Sequence, residues 1–591
     1  PWLRAPRAAT PGVDPAAMTP WPDRSDPTEP IDAVTTEIPR VGPAKPPAGS
    51  SIGRASSLMA VASLVSRVTG FLRQLALVAV LGLAVVNDSY TVANTLPNIV
   101  YELLLGGVLT SVMIPLLVRA QTHDPDGGET YTRRLLTIAG TALLLATAVA
   151  MLAAPLLTRL YLGSDDSGTA NPDLATAFAY LLLPQIFFYG MGALLGAILN
   201  SKGVFGPFAW APVLNNVVVL IVLGVYALVP GAISLDPVRM GDAKLLVLGL
   251  GTTLGIVVQA VVLLPSMRRI GFRYRPVWGW DPRLTAAGGL ALWVVAYVLI
   301  GQAGYIVTTR VASSAAEGSV AIYTNAWLLL QVPYGVLGVS LLTALMPRMS
   351  RSAADGRMDA VIDDLSLGSR LSAVFLIPIS ALLTVFGTSV GVALFALRAG
   401  NLDGAERLGA TLAASAFGLL PFAIVMLQLR VFYAVTDSRT PTLIQLFIVG
   451  VKIPMLLACP LLLTREDVVL GLAAANGASF LFGAVLGQFL LIRRLGRLRT
   501  GEILITVLKT MLASVAAALA AAGAAALLTA GPMRDWTPVP RAWITLVVAV
   551  VVMTPVTLLA MRLLRTGELA PLWRRLARLA GSRKPRRETS A

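Results

Sequence analysis

The chain has 591 residues, of which 56% are hydrophobic and 13% charged, with a formal net charge of +16 and a single cysteine. A mean hydropathy of +0.75 excludes an ordinary water-soluble fold. The lone Cys459 excludes an intrachain disulfide or a thiolate metal cluster, and the near absence of long polar stretches between apolar ones leaves no room for an extramembrane catalytic domain.

Residues 1–50, rich in Pro, Asp and Thr and without hydrophobic periodicity, are expected to form a disordered cytoplasmic segment. They carry no signal-peptide pattern, and a first residue other than Met leaves the natural start open. About fourteen apolar stretches follow, each near the ~20 residues that cross a ~30 Å hydrocarbon core. Their approximate bounds are 56–82, 88–119, 131–160, 174–200, 207–230, 243–266, 284–312, 318–347, 369–396, 405–435, 441–463, 468–492, 503–529 and 541–564. The pattern predicts an all-α polytopic membrane protein.

The first span holds Arg67 and Arg73. A guanidinium in hydrocarbon costs at least ~2.5–3.5 kcal/mol and does not lose its proton. Both therefore need a wet interior, and their planar forks suit phosphate oxygens, which points to a transporter with a cationic cavity and an anionic cargo. Spaced six apart, they lie about 120° from each other on an ideal helix and share a cavity only if it is broad or if Gly70 lets the helix bend.

The second span bears a polar stripe, Thr91, Thr95, Asn98 and Glu102, at helical spacing, with Asp88 at its start. Three roles are open for Glu102: pairing with Arg67 or Arg73, coupling to a proton or cation, and lining a cavity. Pro97 and Gly106–Gly107 here, and Pro333, Gly335 and Gly338 in span eight, read either as hinges or as the ordinary Gly and Pro of membrane helices. Lys452 lies mid-span, to line a lipid path or pair with a neighbouring carboxylate. Arg430, near the inner end of span ten, is read as snorkelling to the interface.

Arginines cluster after even-numbered spans: Arg133 and Arg134, then Arg268, Arg269, Arg273 and Arg275, then Arg348, Arg351 and Arg357, then Arg493, Arg494, Arg497 and Arg499. The alternate loops hold Asp165, Asp166, Asp236, Glu466 and Asp467. This bias predicts both termini in the cytoplasm and explains most of the positive charge. The basic stretch 565–587 is read as a solvated tail in preference to an interfacial helix around 572–579.

The chain also repeats itself. Thr309-Arg310-Val311 echoes Ser66-Arg67-Val68, Tyr323-Thr324-x-Ala326 echoes Tyr90-Thr91-x-Ala93, and Gly338-x8-Pro347-x3-Arg351 echoes Gly106-x8-Pro115-x3-Arg119, at spacings of 232–243 residues. A repeat of six spans makes two parallel lobes with a site between them: an N-lobe over 51–275 and a C-lobe over 276–500. It also predicts that Arg67 and Arg310 face each other. No metal or cofactor site and no nucleic-acid partner is expected. His123 lies beside loop carboxylates, Asp363-Asp364 reads as a solvated helix face, and no phosphate-binding glycine-lysine loop is present.

Ser66-Arg67-Val68-x-Gly70-Phe71-x-Arg73, with Asp88 and Leu96-Pro97-Asn98, resembles the amino-terminal signature of the MurJ/MviN lipid II flippases. Gly196-Ala197-Ile198-Leu199-Asn200, Phe208-Ala209-x-Ala211-Pro212, Pro333-x-Gly335-Val336-Leu337-Gly338 and Phe432-Tyr433-x3-Asp437-x2-Thr440-Pro441 extend the likeness over roughly residues 56–500. The resemblance implies fourteen spans, a two-lobed fold of the multidrug/oligosaccharidyl-lipid/polysaccharide exporter superfamily that alternates its access, and lipid II as cargo. It implies functional roles at Arg67, Arg73, Asp88 and Asn98. It also implies that two further helices, within 501–565, form a groove for the polyprenyl tail, leaving 566–591 as a basic tail.

Two positions depart from the family pattern. Tyr101-Glu102 stands where relatives carry Arg-Arg, and Leu328 where they carry a span-eight arginine, so Arg310 is the expected substitute. Other readings stay open: an exporter of another polyprenyl-linked glycan or amphipathic molecule, a membrane scaffold that recruits cell-wall synthesis proteins through its tails, and, more weakly, a membrane glycosyltransferase.

Overall fold

The computed structural model describes residues 49–103, 114–163, 170–396, 401–435 and 437–569. The expectations for 1–48, Gly106–Gly107, Asp165–Asp166 and 570–591 lie outside the described residues. The chain separates into one unit, Pro1–Arg54, of which only a helical stretch is described, and a second, Ala55–Ala591, which holds everything discussed below.

Among the described residues every regular element is helical. In chain order they are α1 (Gly49–Leu81), α2 (Val85–Leu103), α3 (Ile114–His123), α4 (Glu129–Leu152), α5 (Ala154–Leu162), α6 (Pro172–Leu182), α7 (Gln185–Ser201), α8 (Gly206–Leu228), α9 (Ala243–Val261) and α10 (Leu264–Arg269). The second half has α11 (Pro282–Ser313), α12 (Ser319–Ala354), α13 (Met358–Phe395), α14 (Leu402–Ser415), α15 (Leu419–Ala434), α16 (Arg439–Leu462), α17 (Val468–Leu495), α18 (Thr500–Ala530) and α19 (Pro538–Leu563).

Eleven described helices are long and apolar enough to cross a membrane, and twelve if the pair α6–α7, bent by 40°, is one span. The two other expected spans are 88–119, interrupted by residues outside the description, and 318–347, which falls within the single 36-residue α12. Helix starts follow local chemistry. Asn171 accepts a hydrogen bond from the Leu174 N–H at the head of α6, and Asp242 does so from Lys244 at the head of α9. Asp281 does the same from Arg283 in α11, with Pro282 at the first helical position.

Helices α2 to α10 pack mainly among themselves, α11 to α17 likewise, and the halves meet through α11 against α2 and α5 and α12 against α2. Small residues permit the closest crossings: a Cβ on Gly387 of α13 would sit 2.6 Å from the Gly409 carbonyl of α14. α18 and α19 pack on each other and on α13. Leucines such as Leu145 on α4 and Leu519 on α18 stay exposed, as lipid-facing residues do.

An extended strap, residues 271–281, joins the halves. The Arg133 side chain donates to the Arg273 carbonyl at 3.1 Å, and the Val277 N–H donates to Thr137 Oγ1 at 3.1 Å. Its end is clamped by Arg283, which donates to both Asp124 oxygens at 3.0 and 3.1 Å and to Asp281. The hydrogen bond from Arg283 holds the Asp281 carboxyl below the usual carboxylate range. A depressed native pKa means this contribution is complete above the unfolded value of ~3.9 and is lost as pH falls below it. Asp124→Asn is expected to lower stability by about 1 kcal/mol, a value limited by the partial exposure of the pair. It is also expected to speed hydrogen exchange across 271–281 at pH 7, whereas the intact chain reaches that exchange only on acidification below about pH 4.

Candidate functional site

α1 runs antiparallel to α12. The Gln74 amide donates to Asn325 Oδ1 at 2.9 Å, and Asn325 is itself buried and bonded to the Ala321 carbonyl. Two turns earlier on α1, Arg67 lies on Gly335: a Cβ there would be 2.5 Å from Arg67 Nη1. Glycine at 335 is thus what lets the guanidinium rest on α12. Arg67 is exposed and Arg73 half-buried, and among the described residues neither has a carboxylate within 4.0 Å. Unneutralised arginines on one helix are what an anionic cargo needs.

α2 meets α11 in the matching way. Gln302 donates to Glu102 Oε2 at 3.4 Å, and among the described residues Glu102 makes no ion pair with Arg67 or Arg73. Its pairing with those arginines is therefore not seen in this conformation. The rest of the stripe bonds within α2: Thr91 to Asn87 Oδ1, Thr95 to the Thr91 carbonyl and Asn98 to the Asn94 carbonyl.

At the amino-terminal ends of α2 and α12 the halves cap each other. Asp88, fully buried, accepts from the Ala321 N–H of α12 at 2.8 Å. Glu317, just before α12, lies 3.5 Å from the Val85 N–H of α2. Each carboxylate thus satisfies free amides and the positive dipole end of the helix opposite. Arg407 of α14 reaches the Glu317 carbonyl and Ser319 Oγ, each at 3.3 Å. Gly318, at φ 76°, packs directly on the Leu83 carbonyl, where any side chain would clash.

Both capping contacts join residues 232 or 233 apart, the spacing at which Tyr90-Thr91 recurs as Tyr323-Thr324. At a spacing of 233 the counterpart of Arg67 is Ile300, not Arg310, and the counterpart of Glu102 is Gly335. The match of Ser66-Arg67-Val68 to Thr309-Arg310-Val311 is out of register, and the expectation that Arg310 faces Arg67 is corrected accordingly. Arg310 sits within about 5 Å, along the axis, of the α11 terminus at Ser313, whereas Arg67 lies about 21 Å from the matching α1 terminus at Leu81. Arg310 is exposed next to Gly163, where Ser313 Oγ donates to the Leu162 carbonyl.

The same register puts the Arg67–Gly335 and Gln302–Glu102 contacts at one level, an arginine on one side and a glutamate on the other. Lys452 in α16 is half-buried, with no carboxylate within 4.0 Å among the described residues. Sequence reasoning read Arg430 as a snorkelling residue and not as part of the site. It is exposed and within electrostatic reach of Tyr297, Tyr334 and Tyr433, and Tyr334 adjoins the glycine under Arg67. The tyrosines recurring around it on α11, α12 and α15 were the only available signal.

A family model described as lipid II flippase MurJ matches residues 77–547, beginning just after the Arg67–Arg73 motif. Among curated relatives, the chain is 26% identical to a probable lipid II flippase MurJ of Vibrio cholerae serotype O1, over 65% of this chain and 73% of that one. It is 27% identical to the lipid II flippase MurJ of Burkholderia cenocepacia, over 64% and 72%. Among solved structures, one titled lipid II flippase MurJ, inward closed conformation, superposes with a TM-score of 0.68 at 17% identity, covering 86% of this chain and all of that one. A MATE transporter in complex with MaL6 follows at 0.54 and 15%, covering 75% and 96%; both likenesses speak for the fold alone. With the family model running from the last turns of α1 into α19, the chain belongs to the lipid II flippase MurJ family.

Proposed function

We infer that this bacterial membrane protein is a flippase that carries lipid II, a polyprenyl-diphosphate-linked glycopeptide, from the inner to the outer leaflet by alternating access. Family membership supports the cargo. The observation that carries the mechanism is the unneutralised guanidinium of Arg67 laid on Gly335 between the two halves. Arg67 and Arg73 would pair with the diphosphate, with Arg430 as a further cation near Tyr334 and Arg310 as a cation nearer the capped end. The arginine-rich loops, and with them both termini, would face the cytoplasm.

In that orientation the contacts of Asp88 and Glu317 with the opposite helices close the outer end while the head group loads from inside. Opening strips both carboxylates and both helix ends of partners, so cargo contacts or water must replace them. An inside-negative potential contributes ~2.3 kcal/mol per elementary charge per 100 mV to an anion moving outward. Glu102, level with Arg67, and Asn98 and Lys452 would line or couple the path as the arginines lose their phosphate. The apolar groove of about 340 Å³ between α13 and α19, lined by Phe375, Pro378, Ile379, Met553 and Leu558, suits a polyprenyl tail. Cell-wall synthesis proteins would be met through 1–50 and 566–591.

Depletion of the protein is expected to trap lipid II inside. The intact chain should restore its exposure at the outer surface, while Arg67→Ala and Gly335→Val, made to equal levels, restore it at least tenfold less, or ~1.4 kcal/mol of lost cargo stabilisation. Full rescue by both variants would refute the site and keep the cargo. A scaffold would instead tolerate both and fail on deletion of 1–50 or 566–591. At the outer end, Asp88→Ala is expected to remove a cap worth ~1 kcal/mol and raise the open population about fivefold. Thiol labelling of Thr91→Cys from outside reads this opening, and Asp88→Asn, which keeps an acceptor oxygen, should change it less.

A further inference from the structure

Beneath the strap lies a cavity of about 760 Å³ that the flipping mechanism does not use. Leu136 of α4, Met191 and Leu195 of α7 and Met267 of α10 give it apolar walls, and Arg268 and Arg273 stand at its edge. The volume falls in the ~300–1,000 Å³ range of small-molecule sites, and a mostly apolar lining with two arginines matches an amphipathic occupant.

The strap itself has the chemistry of a membrane surface. Its sequence, Phe272-Arg273-Tyr274-Arg275-Pro276-Val277-Trp278-Gly279-Trp280, sets aromatics between arginines. Tyr274 is 54% exposed, and Trp278 and Trp280 are each 67% exposed, the placement of side chains that sit at headgroup level. Among the described residues Arg268, Arg269, Arg273 and Arg275 have no carboxylate within 4.0 Å, although nearby Arg133 and Arg283 do. Two exposed, unneutralised arginines lining an apolar cavity, with Arg269 and Arg275 close to them in sequence, are complementary to an anion that carries an acyl chain.

We propose that this cavity binds one anionic phospholipid. An acyl chain lies among Leu136, Met191, Leu195 and Met267, and the phosphate sits between the guanidinium groups of Arg268 and Arg273. The strap is the covalent link between the halves, so the lipid fastens that link to the membrane surface. The net negative charge of the head group selects it over a zwitterionic lipid, whose ammonium would meet the same arginines.

The test is native mass spectrometry of the delipidated full chain, titrated separately with phosphatidylglycerol and phosphatidylcholine. One phosphatidylglycerol should be retained with at least tenfold preference. Arg268→Gln/Arg273→Gln should reduce that retention at least tenfold. Leu264→Trp, at the half-exposed rim, should reduce it with both arginines in place and serves alone if the arginine variant fails to fold. Equal retention of the two lipids, or unchanged phosphatidylglycerol retention in a folded variant, would overturn the proposal. So would full displacement by millimolar inorganic phosphate, which would mark a site for a soluble anion.

Discussion

The amino-terminal ends of α2 and α12 meet side by side, and the contact between the two halves there depends on how that meeting is satisfied. Each end presents amides without intrahelical partners and a partial positive charge, which in a membrane protein away from water is costly. Asp88 answers for α12 and Glu317 for α2, so each half supplies the anion the other lacks. The arrangement is conditional by nature: both caps are satisfied only while the halves touch.

Away from that end the two-fold likeness becomes a difference in charge. The same spacing that relates the caps relates Gly335 to Glu102, so a surface that receives an arginine in one half carries a carboxylate in the other. At the opposite end of the bundle the strap and the Asp124–Arg283–Asp281 clamp keep the halves joined.

Much of this was legible beforehand. Apolar length alone located the eleven or twelve spans seen among the described residues, because a helix in hydrocarbon must satisfy its own backbone and be about twenty residues long. Arg67 and Arg73 stood out since a guanidinium among leucines has so few permissible surroundings. The error over Arg310 has an equally plain cause: a three-residue match carries little information, and a ten-residue slip in register moves a side chain about 15 Å along its helix. Arg430 was read as structural because a residue near a helix end has the option of snorkelling.

The sequence by itself determined the class of protein, the spans, their alternating charge and the internal repeat, because these follow from hydropathy and spacing along one chain. Tertiary structure alone decided which carboxylate caps which helix, that Glu102 meets Gln302 and not an arginine, and that a glycine on α12 is the seat of Arg67. Each of these is a contact between residues some 200 or more positions apart. Their partners are chosen by the packing of two halves in space, and no local pattern encodes that choice.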